Sequence, residues 1–75
     1  MKLYTKTICP KCLWVKSELV QAGFDSVEMI NIDHNEQAKE KIINAGLMSV
    51  PILEVEGELI HDVQEIVSRI EMLTQ

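Results

Sequence analysis

Cys9 and Cys12, the only cysteines of the chain, stand where one hydrophobic periodicity gives way to another. Before them, Lys2 to Thr5 reads as a short strand followed by the loop Lys6-Thr7-Ile8. After them an apolar-periodic stretch runs to Ala22, with Pro10 suited to the first turn of a helix. Gly23 supplies a C-terminal stop, and Ser26 to Ile32, with Val27, Met29, Ile30 and Ile32, reads as a second, largely buried strand. Strand-helix-strand crossovers are right-handed, which makes the two strands parallel. Cys9-Pro10-Lys11-Cys12 then lies at the C-terminal end of the first strand and the N-terminus of the first helix.

The rest of the chain continues in the same style. Asp33 and Glu36 form a capping-box pattern for a second helix through Ala38, Ile42 and Ala45, which Gly46 ends. From Leu47 to Val55 the period changes, with Val50, Ile52 and Glu54 alternating against Leu53 and Val55 as in a strand. Glu56-Gly57 turns it into Glu58-Leu59-Ile60 as a hairpin partner. Asp62 and Glu65 repeat the capping box, and Val63, Ile66, Val67, Ile70 and Leu73 give the stripe of a last helix. The order is βαβαββα, an α/β class. The 75 residues make a single domain, 1–75, since a chain this short buries only about 60% of its unfolded surface.

Charge excludes some functions. A formal net charge of -5 disfavours nucleic acid, which needs a basic footprint. No apolar run approaches the roughly 18 residues of a membrane helix, and the lysine-interrupted N-terminus lacks the apolar core of a targeting signal, so a soluble, cytoplasmic protein is expected with no membrane partner. The charge is unevenly placed. Residues 1 to 16 carry Lys2, Lys6, Lys11 and Lys16 and no acid, while the remainder holds all twelve acids against Lys39, Lys41 and Arg69.

The cysteine pair lies inside that positive island. A ring this small stabilises a fold by only about 2 kcal/mol, less than a longer loop would, so the pair is a poor staple. A cytosolic setting also keeps permanent disulfides rare, which points to redox or metal chemistry. Single-chain zinc is disfavoured, because there is no second C-x-x-C and His34 and His61 are far apart in sequence.

Taken together, Lys6-x-x-Cys9-Pro10-x-Cys12 after a strand, Ser49-Val50-Pro51 about 40 residues later, the hairpin and the capped final helix resemble the glutaredoxin family, including its small glutaredoxin-like and NrdH-type redoxins. The resemblance covers essentially the whole chain. It implies a thioredoxin-like fold with a four-stranded mixed sheet of order 2-1-3-4 flanked by three helices, a cis Val50–Pro51 bond, and dithiol–disulfide exchange. Cys9 is then the expected nucleophile, its thiolate favoured by the helix N-terminus, and Cys12 the resolving thiol. Pro10, Lys6 and Lys11 are candidates for tuning the acidity of Cys9. Val50, Pro51, Lys6 and Trp14 are candidates for binding substrate, with the Val50 backbone facing an extended substrate chain and Lys6 standing where the family places a lysine for a glutathione carboxylate.

The implied partners are a disulfide-containing protein such as ribonucleotide reductase and, as reductant, thioredoxin reductase or glutathione, with no tightly bound cofactor and a monomeric state. An alternative from another class is an iron–sulfur or metal module built by two chains through Cys9 and bridged by glutathione. Glutathione-using members carry a Gly-Gly pair after the hairpin. Here His61-Asp62 stands in that place, which implies weak glutathione binding. The remaining features read as ordinary surface or core: His34 as a solvated or capping residue, the acids Glu54, Glu56, Glu58, Asp62 and Glu65 as a solvated face, and Met29, Met48 and Met72 as core or rim filler.

Overall fold

The computed structural model describes residues 1–24, 26–47 and 49–74. Seven elements follow one another: β1 (Lys2–Thr5), α1 (Pro10–Gln21), β2 (Glu28–Asn31), α2 (Glu36–Asn44), β3 (Ile52–Val55), β4 (Glu58–Ile60) and α3 (Val63–Leu73). The strands form one sheet of order β2-β1-β3-β4. β1 runs parallel to β2, with Leu3 opposite Met29, and antiparallel to β3, with Tyr4 opposite Ile52 and Leu3 opposite Leu53. The β3–β4 hairpin is antiparallel. This is the thioredoxin-like architecture that the motif order implied.

Alternation along the two central strands builds a core on each face of the sheet. Leu3 and Leu53 join Val15 and Leu19 of α1, Ile60, and Ile66 and Ile70 of α3 on one side. Tyr4 and Ile52 join Ile32 and the α2 residues Ala38 and Ile42 on the other. Each large apolar side chain so buried contributes roughly 1.5–3 kcal/mol.

Helix ends follow local rules. After α1, Gly23 takes φ +87, its N–H donates to the Val20 carbonyl, and the Phe24 N–H reaches back to Leu19. Gly46 repeats this pattern after α2, with bonds to Ile43 and from Leu47 to Ile42. Both are Schellman stops, which need a left-handed residue that glycine adopts without a Cβ penalty.

Three expectations are corrected. The cap of α2 is Asn35, whose side chain accepts the Ala38 N–H, and not Asp33, whose carboxylate is engaged elsewhere. The second strand is shorter than Ser26 to Ile32 and half-exposed, because it lies at the sheet edge where only one flank has a neighbour. The third begins at Ile52, so Leu47 and residues 49–51 precede the strand and are not part of it.

Glu54 also departs from the solvated acidic face. Its Oε1 accepts the Tyr4 hydroxyl at 2.8 Å and pairs with Lys41 Nζ at 2.6 Å, joining β1, β3 and α2. Lys41 holds the Glu54 carboxyl below its usual value, helped by Tyr4. Burial, followed by the bond to Glu54, raises the pKa of the Tyr4 phenol. Met29 and Met72 lie at the exposed rim, and Met48 lies outside the described residues. Among the described residues no helix is long and apolar enough to cross a membrane.

Candidate active site

The site begins where β1 ends. Thr5 leads into Lys6-Thr7-Ile8, and Cys9 then caps α1 in extended conformation, φ -155 and ψ 92. Pro10 occupies the first helical turn, where its missing N–H costs nothing. With Cys9 at the cap, its side chain takes a bond the helix leaves open: Sγ accepts the Cys12 N–H at 3.1 Å. Cys9 and Cys12 are joined as a disulfide with Cα atoms 5.2 Å apart. The two sulfurs differ in access, since Cys12 is 4% exposed against the core and Cys9 is only half-buried.

The third participant arrives by strand pairing. Because Ile52 sits opposite Tyr4, the residues just before it are delivered to the end of β1. The Val50–Pro51 bond is cis, Pro51 is buried, and the Val50 carbonyl lies 4.0 Å from Cys9 Sγ. A disulfide sulfur has no proton to donate, so this is a contact between the two groups.

The loop before Cys9 is fastened from the β2 side. The Thr7 N–H donates to Asp33 Oδ2 at 3.0 Å, and Asn31 Nδ2 donates to the Thr7 hydroxyl at 3.2 Å. The Thr7 N–H is the main cause that holds the Asp33 carboxyl below its ordinary value, with Lys6 adding to it. Sequence reasoning assigned Asp33 to a helix cap and missed this role. The only signal lay in Asn35, a second cap-forming residue two positions later.

A cavity of about 130 Å³ opens beside the disulfide, lined by both cysteines with Thr5, Lys6, Thr7, Leu13, Lys16 and Met29. Lys16 and Met29 were not foreseen there. Lys11 and Trp14 are exposed on α1, Trp14 to 49%, and neither lines this cavity. Ile8, next to Cys9, is 88% exposed. At the sheet's same end, Asp62 caps α3 and its Oδ1 accepts the Gln64 N–H at 2.8 Å. Among the described residues no three side chains of His, Cys, Asp or Glu converge as metal ligands would.

A half-exposed and a buried cysteine, one turn apart and already joined, can cycle between dithiol and disulfide. Comparison with known proteins agrees with that chemistry. The family model described as Glutaredoxin matches residues 1–60. Among solved structures the chain is similar to the glutaredoxin-like protein NrdH-redoxin from Escherichia coli, reported for its thioredoxin-like activity profile. The identity is 26% and the TM-score 0.80, over 91% of this chain and 90% of that one. A comparison with curated protein sequences finds no match.

Proposed function

Since the chain belongs to the glutaredoxin family and is a thiol–disulfide oxidoreductase, we propose that it carries electrons to disulfides of partner proteins, with Cys9 attacking and Cys12 resolving. The unequal access of the two sulfurs at one helix terminus is the observation that supports these roles.

In the reduced protein the Cys9 thiolate is favoured by the helix N-terminus and by the Cys12 N–H, which points at Sγ. It attacks one sulfur of the substrate disulfide. A mixed disulfide forms, and the first substrate thiolate leaves and takes a proton from solvent. Cys12, as thiolate, then attacks Cys9 Sγ and expels the second substrate thiolate. Two electrons have passed to the substrate, and the protein is left with the Cys9–Cys12 bond seen in the structure. A low Cys9 pKa keeps that sulfur ionised for the first attack and makes Cys9 a good leaving group whenever the partner's sulfur in a mixed disulfide is attacked, whereas in the resolving step the group expelled is the substrate thiolate. No tightly bound cofactor is needed, since the two thiols hold both electrons.

The Val50 carbonyl beside Cys9 offers an extended substrate backbone a place to pair, and the exposed side chains of Lys6, Lys11 and Trp14 are the candidates for further substrate contacts. A disulfide-bearing protein such as ribonucleotide reductase is the kind of partner this reading suggests, met by a monomeric carrier in the cytoplasm. For the reductant, the Asp62 carboxylate already occupies the α3 terminus that a γ-glutamyl carboxylate would require. Thioredoxin reductase therefore fits better than glutathione, in line with the activity profile of the similar NrdH-redoxin. Coupling the oxidised protein to NADPH oxidation through each pathway tests this. Turnover with thioredoxin reductase is expected, and turnover with glutathione alone would overturn the assignment.

A further inference from the structure

Resolution of the mixed disulfide requires a Cys12 thiolate in a place that resists one. Cys12 is 4% exposed against the core, and burial among apolar groups raises the pKa of a thiol. It also lies inside α1, past the terminus whose open N–H groups favour Cys9. The cavity of about 130 Å³ beside the disulfide reaches Cys12 as well as Cys9, and its charged lining is Lys6 and Lys16. It is large enough to admit water, which gives a proton leaving Cys12 a way to solvent.

The two lysines are not equivalent. Lys6 stands on the loop after β1 near Asp33, whose carboxyl it helps to hold below its ordinary value, so its field is shared with an acid. Lys16 follows Cys12 by four residues on α1, a spacing that stacks the two on one face with roughly 5–6 Å between Cβ atoms. Helical side chains lean toward the N-terminus, which brings Lys16 over the turn that carries Cys12 and onto the same cavity. The positions one turn to either side of Lys16 are Cys12, Leu13, Leu19 and Val20, none of them an acid, and the first turn of α1 holds no acid either. Other elements around Cys12 add little charge. β2 contributes Met29 to the cavity, α3 shares its core with α1 through Ile66 and Ile70, the segment before β3 brings the uncharged Val50 and Pro51, and Lys11 is exposed at the start of α1.

We propose that Lys16 is a positioning residue for the resolving step, its ammonium stabilising the Cys12 thiolate across this cavity. The proposal rests on Cys9 being the attacking and Cys12 the resolving sulfur. In the mixed disulfide Cys12 gives its proton to solvent, and its thiolate attacks Cys9 Sγ. The Cys9–Cys12 bond forms, the bond from Cys9 to the substrate sulfur breaks, and the substrate thiolate leaves with the electron pair. When the oxidised protein is reduced again, a reductant thiolate attacks Cys9 Sγ and expels Cys12, so the same charge stabilises the leaving group. Lys16 acts by charge and transfers no proton.

The test is a graded series of Lys16→Arg, Lys16→Gln and Lys16→Glu. In a Cys9→Ser background, the Cβ resonance of Cys12 in the reduced protein reports its titration directly. Lys16→Gln should raise the midpoint by about half a unit and Lys16→Glu by about one unit, while Lys16→Arg leaves it in place. Quenching single turnovers with an alkylating reagent and weighing mixed against internal disulfide follows resolution in the protein with both cysteines. Below the midpoint, Lys16→Glu should slow that step about three- to fourfold, because lost thiolate is partly offset by greater nucleophilicity. Capture of substrate by Cys9, measured in a Cys12→Ser background, should change less than about twofold, since Cys9 lies two turns from Lys16 and is open to screening. An unmoved Cys12 midpoint across the series, or equal slowing by Lys16→Arg and Lys16→Glu, overturns the role of Lys16 and leaves the oxidoreductase reading in place. Equal trapping of substrate by Cys9→Ser and Cys12→Ser overturns both the role of Lys16 and the assignment of the two sulfurs.

Discussion

Asp33 Oδ2 accepts the backbone N–H of Thr7 at 3.0 Å, and through that bond the loop carrying Cys9 is tied to the turn that follows β2. The bond lowers the pKa of the Asp33 carboxyl below its ordinary value of 3.8. A depressed carboxyl contributes above the ordinary aspartate range and stops contributing as pH falls through the lowered folded value. The Thr7 amide resonance should therefore shift with a midpoint below 3.8 in an NMR titration. Asp33→Asn should abolish that transition. A midpoint at or above the ordinary value would show that the bond is not maintained in solution.

The two cysteines should fail differently when replaced. Cys9→Ser removes the accessible sulfur and should abolish disulfide reduction, whereas Cys12→Ser should still capture a substrate as a mixed disulfide and stall. Mass spectrometry after exposure to a protein disulfide distinguishes them, and equal trapping by both variants contradicts the assigned roles.

The Tyr4–Glu54–Lys41 cluster predicts an asymmetry in stability. Tyr4 is 1% exposed, so Glu54→Ala strands its hydroxyl in the core at a cost of about 1–3 kcal/mol. Tyr4→Phe leaves Glu54 paired with Lys41 and should cost only about 0.5–1.5 kcal/mol. The double variant should be less destabilised than the sum, because the two residues share one bond. Denaturant midpoints measure all three. The Glu54 contribution is present above the ordinary glutamate range and is lost as pH falls through its depressed folded value, while the Tyr4 contribution is lost as pH rises through its raised one.

Glutathione use should respond to the start of α3. His61→Gly with Asp62→Gly frees the N–H groups that Asp62 now occupies, and should increase turnover in a glutathione-coupled assay. Loss of the cap should cost about 1 kcal/mol. Strong glutathione activity of the unmodified protein, with no gain in the double variant, would show that Asp62 does not limit it.

Asn35→Ala should destabilise the protein by about 1 kcal/mol in a thermal or denaturant melt, the usual loss when an Asx cap is removed. No loss would mean that α2 frays at this end without consequence.

Where structure follows from neighbours in sequence, the chain could be read directly. Gly23 and Gly46 stop their helices through bonds spanning five residues or fewer, and Cys9, Pro10 and Cys12 mark a strand-to-helix junction whose signals are all local. Long-range partners could not be read in this way. Asp33 and Asn35 both satisfy the rules for a cap, and the choice falls to Asn35 because Thr7, 26 residues earlier, engages Asp33. Glu54 belongs to an acidic run in sequence, yet the β1–β3 register sets it beside Lys2 and near Tyr4, and α2 delivers Lys41. Ser26 to Ile32 is apolar enough for a central strand, and only the order of the sheet leaves it at the edge with its side chains half in water.

That edge position bears on self-association. β2 and β4 border the sheet, spanning four and three residues, and each opens on a glutamate, Glu28 and Glu58. Short borders carrying charge give a second copy little unpaired backbone to zip against. Fibril growth by edge-to-edge stacking is thereby disfavoured, even though the central strands, apolar on both faces, hold the sort of sequence that such growth feeds on.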